Sequence, residues 1–360
     1  MGIKGLSKFI NDRFSTIPKE IHLSEFAYKI IAVDLSLYLY TYKAISNKNK
    51  NGDSWLISFL QLVSCLRRNN IHCIFIYDGK FPKEKEAEQK KRRDEIEKRD
   101  SRAYDLQDSM NEYYQTGQIR ENLQKFIDRE MKKENTKKLL SNNINMDIIA
   151  EKIDNYVNQG TPKVTEEDII KTKKLFTILK VPFCTAPQEA ESMAAKLCKD
   201  GKVNAVLSED SDILAYGAPI FINKINTSTE TCRIIYHKEL MDEMGYTPTQ
   251  FLDFCIMCGT DYNSNIKKIG PVNSYKLINE YGSIENIENE RGIDTSPLNY
   301  IKVRELFNKP KYKKIDIPYC GKPDFNKLRE FLAINGITYF NNKLEESFYN
   351  VDIVVEDGEN

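Results

Sequence analysis

Short apolar runs alternate with amphipathic stretches over the first 80 residues, and the rhythm returns from about residue 161. Lys29-Ile30-Ile31-Ala32-Val33 stops at Asp34, and Ile71-His72-Cys73-Ile74-Phe75-Ile76-Tyr77 stops at Asp78-Gly79. A helical stretch covers Trp55 to Arg68 between them. A helix around Glu166 to Lys180 then leads into Val181-Pro182-Phe183-Cys184. A further helix over Glu189 to Lys199 leads into Val203-Asn204-Ala205-Val206-Leu207, which runs out into Ser208-Glu209-Asp210-Ser211-Asp212. Apolar runs of four to seven residues spaced by helices predict an α/β fold with a mostly parallel central sheet.

Residues 80–159 break the pattern. Lys80 to Asp100 mixes both charges densely with almost no apolar content, and polar, Asn- and Lys-rich helical stretches follow as far as Gly160-Thr161-Pro162. Residues 101–160 read either as ordered helices or as a solvated, partly disordered insertion. The last third is mainly helical, with a turn at Gly270-Pro271 and a basic stretch from Lys302 to Arg329 holding nine basic residues against three acidic. The tail from Glu345 to Asn360 carries six acids and no base, and is expected to fray.

Composition narrows the chemistry. No apolar run approaches the roughly 20 residues of a membrane span, and the start, Met1 to Ile10, lacks a signal-peptide pattern. An intracellular protein without membrane partners is therefore expected, with its eight scattered cysteines as reduced thiols. Three distant histidines, His22, His72 and His237, argue against a histidine-rich zinc site and against Ser-His-Asp or Cys-His catalysis. Lys and Arg together number 53, as do Asp and Glu. That balance excludes a uniformly basic coat but not a local basic face.

The acids carry the most information. Asp34, Asp78 and the Asp210/Asp212 pair follow the last apolar residues of predicted strands, and in a parallel sheet those ends share one edge. Two like charges about 4 Å apart repel by roughly 4 kcal/mol at an effective dielectric of 20. Such a crowd needs cations or raised pKa values, and an all-oxygen set suits Mg²⁺ or Mn²⁺. Glu189 and Glu191 open a helix and can both face one site only from its first turn, and Asp261 follows a helix end at Cys258-Gly259-Thr260. A single Asp after a strand is most often a turn or cap residue; seven acids so placed are harder to explain that way.

In order along the chain stand Met1-Gly2-Ile3-Lys4-Gly5-Leu6, Ala32-Val33-Asp34, Tyr77-Asp78-Gly79-Lys80-Phe81-Pro82, Ala186-Pro187-Gln188-Glu189-Ala190-Glu191-Ser192, Ser208-Glu209-Asp210-Ser211-Asp212, Gly259-Thr260-Asp261-Tyr262 and Ile269-Gly270-Pro271. This ordered set resembles the flap endonucleases, the XPG-type structure-specific 5′ nucleases. The resemblance covers about residues 1–95 and 161–285 and implies a PIN-like nuclease core, a helical arch and a C-terminal helix-two-turn-helix region. It further implies two Mg²⁺ ions, replaceable by Mn²⁺, the first on Asp34, Asp78, Glu189 and Glu191 and the second on Asp210, Asp212 and Asp261. Lys85 and Arg92, two helical turns apart, match the family's catalytic basic pair at the foot of the arch.

By the same resemblance Gly2 lies beside the active site, Tyr40 stacks on a base near the cut, and Lys268 and Gly270 belong to a hairpin that binds duplex phosphates. Relatives hold a potassium ion there, but Lys268 stands where they carry the first glycine of Gly-x-Gly-Pro, which puts that ion in doubt. The tail has no glutamine-led motif ending in paired aromatics, so sliding-clamp docking is not supported. Cys255-Ile256-Met257-Cys258, lacking a second pair, reads as a core face.

The expected organisation is a nuclease region over 1–95, an arch and atypical insertion over 96–160, a second nuclease region over 161–260, a DNA-binding region over 261–342 and an acidic tail over 343–360. The expected function is a monomeric, metal-dependent nuclease for 5′ flaps and 5′ ends of branched DNA, acting in replication, repair or recombination. Two alternatives stand beside it: a related 5′-3′ nuclease for RNA or four-way junctions, and an inactive DNA-binding scaffold, against which the seven acids, Lys85 and Arg92 argue. Setting the seven acids aside leaves 53 basic residues against 46 acidic, so overall neutrality is compatible with DNA binding.

Overall fold

The computed structural model describes residues 2–48, 52–132, 145–158, 163–312 and 314–338, with 345, 346 and 348 beyond. Nearly all of the acidic tail expected to fray lies outside the described residues, as do 133–144 and 159–162. The chain divides into two units. Met1–Tyr40, Asp53–Glu86 and Val164–Asn360 form the first, and Thr41–Gly52 with Ala87–Lys163 form the second.

A seven-stranded sheet organises the first unit. Its strands are β1 (Lys19–His22), β2 (Ile30–Asp34), β3 (His72–Tyr77), β4 (Phe183–Thr185), β5 (Ala205–Leu207), β6 (Ile220–Asn226) and β7 (Thr231–Tyr236), in the order β1-β7-β6-β5-β2-β3-β4. From β6 to β4 all neighbours are parallel; β7 is antiparallel to β6, and β1 to β7. All six residues of β3 are buried, which is why it reads as a continuous apolar run instead of an alternation. β1, β6 and β7 escaped the sequence reading. β1 is short and largely exposed, and its pairing partner, Thr231–Ile234, lies more than 200 residues away.

Register places the strand ends. Val33 lies beside Leu207, Asp34 beside Ile76 and Tyr77 beside Thr185, so β5, β2, β3 and β4 finish along one edge. The strands β2, β3 and β4 advance to one side, and the chain then returns to set β5 on the other side of β2. That reversal makes a topological switch point, the usual ligand crevice of an open parallel sheet. Helices Glu166–Leu179 and Pro248–Cys258 both start with a capping box, Thr165 with Asp168 and Thr247 with Gln250. Cys255 and Cys258 lie on the buried side of the second of these, as a core face requires, and all eight cysteines are free thiols.

The second unit corrects the solvated reading of residues 101–160 where they are described. Most of Glu86–Thr116, with Glu121–Met131 and Met146–Asn158, forms helices around Leu106, Met110, Leu123, Phe126, Ile127, Ile149 and Ile153. These apolar residues recur three and four apart within each helix, making narrow stripes in a strongly polar sequence. Averaging composition over the segment hides such stripes.

Candidate active site

The carboxyl edge of the sheet collects the acids. Asp34 ends β2 and Asp78 follows β3 directly. Glu189 is the N-cap of helix Ala190–Lys199, in extended backbone, with Glu191 in the first turn behind it. This entry geometry lets two acids two residues apart face the same way. Asp210 sits between β5 and the short helix Asp212–Ala215, whose first residue is Asp212. Gly79 makes the close approach possible: a Cβ there would lie 2.0 Å from the Ala186 carbonyl oxygen.

Lys85 is the cation inside this crowd. It is 6% exposed, and its ammonium hydrogen-bonds Glu189, lies 3.1 Å from Asp261 Oδ2 and 3.7 Å from Glu191 Oε1. Burial works against its charge, but Glu191, Glu189 and Asp261 outweigh that and hold it well above the usual lysine range. Tyr262 also donates to Glu189, and Tyr262 and Tyr216 share a hydroxyl contact of 2.9 Å. Ser208 donates to Asp34 Oδ2 at 2.9 Å, and its Oγ accepts from the Asp210 amide at 3.0 Å. Asp78 Oδ1 accepts from the Ala190 amide at 2.8 Å, and Asp210 Oδ1 from the Asp212 amide at 2.9 Å.

One lysine does not neutralise the group. Burial, then the charge of Asp78, pushes the Asp34 carboxyl up to about 8. Burial likewise raises Glu191, Asp210 and Asp212, with Glu189 adding to the first and Asp210 to the last. Both Asp212 carboxylate oxygens are buried without a hydrogen-bond partner, and Glu191 Oε1, also without one, has the Lys85 ammonium at 3.7 Å. Buried acceptors of this kind carry a desolvation cost unless a donor or cation meets them. Among the described residues no three His, Cys, Asp or Glu side chains stand as a finished metal cage. The donor chemistry nevertheless fits a hard divalent ion: oxygen only, anionic, crowded, with orphaned atoms.

Gly2 is brought against the same acids. Its φ is +85°, and a Cβ there would lie 2.0 Å from Asp210 Oδ1 and 2.7 Å from Asp212 Oδ1, so no side chain fits. Tyr40 is 44% exposed, which removes it from the core, and its hydroxyl pKa is raised by burial and by Asp78. Lys268 has φ +64°, the left-handed conformation that glycine adopts without strain, and its carbonyl accepts from Asn273 Nδ2 at 3.0 Å. Gly270 is the N-cap of helix Pro271–Tyr281.

Two sequence expectations change in detail. Lys85 closes a 3₁₀ turn, Lys83–Lys85, ahead of the helix, instead of sharing a helix face with Arg92. Arg92 belongs to the second unit, where its Nε donates to Glu88 Oε1 at 3.3 Å. Within the basic stretch, Arg304 is withdrawn from any ligand. Its guanidinium grips Asp253 at 2.6 Å and Glu285 at 2.5 Å. Ser208 stood in the sequence only as the first residue of a matched motif, with no role given to it, and Tyr216 in no motif; their spatial neighbours identify both as supports.

Two family models match this chain, the XPG N-terminal domain over residues 1–99 and the XPG I-region over 180–261. The chain is 34% identical to a probable RAD2-like endonuclease of invertebrate iridescent virus 6, over 88% of this chain and 81% of the viral one. It is 30% identical to flap endonuclease 1 of Naegleria gruberi, over 92% and 81%. Among solved structures, the catalytic core of Rad2 in complex with a DNA substrate aligns over 94% of this chain and 98% of its own at a TM-score of 0.66 and 16% identity. The flap endonuclease-1 of Methanococcus jannaschii aligns over 93% and 96% at 0.60 and 22%. On these two domain matches and these relatives, the chain belongs to the XPG family of structure-specific nucleases, the family of the flap endonucleases.

Proposed function

We propose that this chain is a divalent-metal-dependent nuclease that cuts branched DNA at 5′ flaps and degrades DNA from 5′ ends, serving replication, repair or recombination. The observation that carries the reading is the set of buried acids at the switch point, with both oxygens of Asp212 lacking donors. Asp34, Asp78, Glu189 and Glu191 would hold one Mg²⁺ and Asp210, Asp212 and Asp261 a second, with Mn²⁺ able to substitute. Two such ions supply an activated water and charge stabilisation for an in-line phosphodiester displacement.

The chain's own groups do the rest. Lys85 stays an ammonium at any working pH, because the surrounding acids hold its proton, and can donate to a phosphate oxygen that the acids alone would repel. Ser208 orients the Asp34 carboxylate, and Gly2 leaves room beside Asp210 and Asp212. Arg92 supplies a second phosphate contact, Tyr40 an exposed ring for base stacking, and the turn through Lys268 and Gly270 a helix N-terminus suited to duplex phosphates. Phosphate contacts and ring stacking carry no base sequence directly, which suits recognition of DNA shape.

The test is a labelled 5′ flap, a nicked duplex, a four-way junction and an RNA strand, each incubated with Mg²⁺ or with EDTA. Flap cleavage with Mg²⁺ and none with EDTA is expected; cleavage of RNA alone overturns the reading. Asp212→Ala should lose at least about 10³-fold in cleavage rate while still binding flap DNA, as for a group acting in the transition state.

A further inference from the structure

We propose that the second unit carries a binding pocket for a nucleotide with a terminal phosphate. A cavity of about 350 Å³ opens among Arg102, Asp105, Lys125, Phe126, Arg129 and Tyr156. That volume lies at the lower end of the range for small-molecule sites, enough for one nucleotide and too small for a duplex. The pocket belongs to neither the acidic centre nor the hairpin.

Its lining matches both halves of a nucleotide. Three cations and one carboxylate line it, with Glu121 and Glu130 lying against Lys125 and Arg129 from outside the lining. A phosphate monoester, at about −1.5 to −2 near pH 7, competes for these cations better than the single charge of a phosphodiester. For the base there is the ring of Tyr156, backed by the buried ring of Phe126, with centroids 6.2 Å apart and planes tilted by 57°. The Arg129 guanidinium lies 5.1 Å from the Phe126 centroid and 6.0 Å from that of Tyr156. A guanidinium over a ring face presents its N–H edge to an anion.

The surroundings make the site firm. Phe126 is 5% exposed and belongs to the apolar core of the unit. Arg99 donates to the Tyr156 carbonyl at 3.0 Å and lies 5.3 Å from the centre of its ring. Asn122 Nδ2 donates to the Asp105 carbonyl at 3.1 Å, tying the two helices that face each other across the pocket. Two of the cations have competing acids: Lys125 lies 2.5 Å from Glu121 and Arg129 lies 3.7 Å from Glu130. The Lys125–Glu121 pair is largely exposed, so a phosphate can displace it at little cost.

The test uses the full-length protein in EDTA, which separates it from the nuclease reading because neither metal nor cleavage is involved. Thymidine 5′-monophosphate is titrated by calorimetry, beside inorganic phosphate, thymidine, and a dT hexamer with either a 5′-phosphate or a 5′-hydroxyl. Saturable binding of the monophosphate is expected, about tenfold or more tighter than phosphate or thymidine alone. Arg102→Gln should weaken it about tenfold, and Asp212→Asn should leave it unchanged. Tighter binding of the phosphorylated hexamer identifies a strand end as the source, and tighter binding of the mononucleotide a free nucleotide. Absence of saturable binding, equal affinity for inorganic phosphate, or loss in Asp212→Asn with retention in Arg102→Gln overturns the proposal.

Discussion

In the first unit, acids are among the most deeply buried polar side chains, with Glu189 1% and Asp212 0% exposed beside Lys85. In the second, the core cluster is seven apolar side chains from three helices, under a polar shell. The first unit therefore stores electrostatic cost at its functional edge, offset by an extensive apolar core that runs from Ile3 to Phe307. The second has less to offset: among its described residues Glu130, 4% exposed, is the buried acid, with Lys152 and Arg129 near it, and apolar packing supplies most of the rest. Charge, pH and divalent ions should act on one unit, and cavity formation on the other.

The largest effect on stability is expected from Lys85→Met. Removing the ammonium leaves Glu189, Glu191 and Asp261 facing one another, and breaking a buried pair costs about 3–5 kcal/mol. Denaturant unfolding at pH 8 in EDTA should show this loss, and Mg²⁺ should raise Tm more in the variant than in the wild type. An unchanged stability would mean that the lysine does not balance the acids.

Phe126→Ala tests the other side, with an expected loss of about 3–5 kcal/mol confined to the second unit. Hydrogen exchange should accelerate over Glu121–Met131 while β2 and β3 keep their protection. Equal acceleration in both units would show that they unfold together and would break the comparison.

A smaller effect separates the units by pH. The folded Asp34 carboxyl titrates near 8 against an ordinary 3.8, and Glu191, Asp210 and Asp212 shift the same way. In this range the folded form binds more protons than the unfolded, so without metal the first unit is most stable at the acid end and loses stability as pH rises from about 5 to 8. The slope is at most about 1.4 kcal/mol per pH unit for one proton. Mg²⁺ at pH 8 should reverse the loss. Exchange rates corrected for intrinsic pH dependence should show no such slope in the second unit.

Lys268→Gly is expected to be the mildest. Relief of the left-handed lysine should stabilise the chain by about 1 kcal/mol. Loss of the charge should lower the salt dependence of duplex binding by about one phosphate contact. Stabilisation with an unchanged salt slope would assign the residue a backbone role only.

Much of the centre was legible beforehand, because each acid stands next to a feature that sequence displays: an apolar run that stops, a helix that starts, a glycine that follows. The parallel strands β2, β3, β4 and β5 were visible for the same reason. The antiparallel strands were not, since β1 is specified by its partner in β7 and by no pattern of its own. The helices around Phe126 were half visible, their apolar stripes diluted by the charges between them.

The sequence by itself determined which residue types meet the edge of the sheet and in what order, since strand periodicity and carboxylate chemistry are local properties of the chain. Only the tertiary structure decided that β5 returns beside β2, which turns scattered acids into one site. It also decided that Lys85 enters that site whereas Arg304 is consumed by Asp253 and Glu285. Lys85 lies in a stretch of mixed charge and Arg304 in a basic one, and a cation's role depends on which anions the fold sets around it.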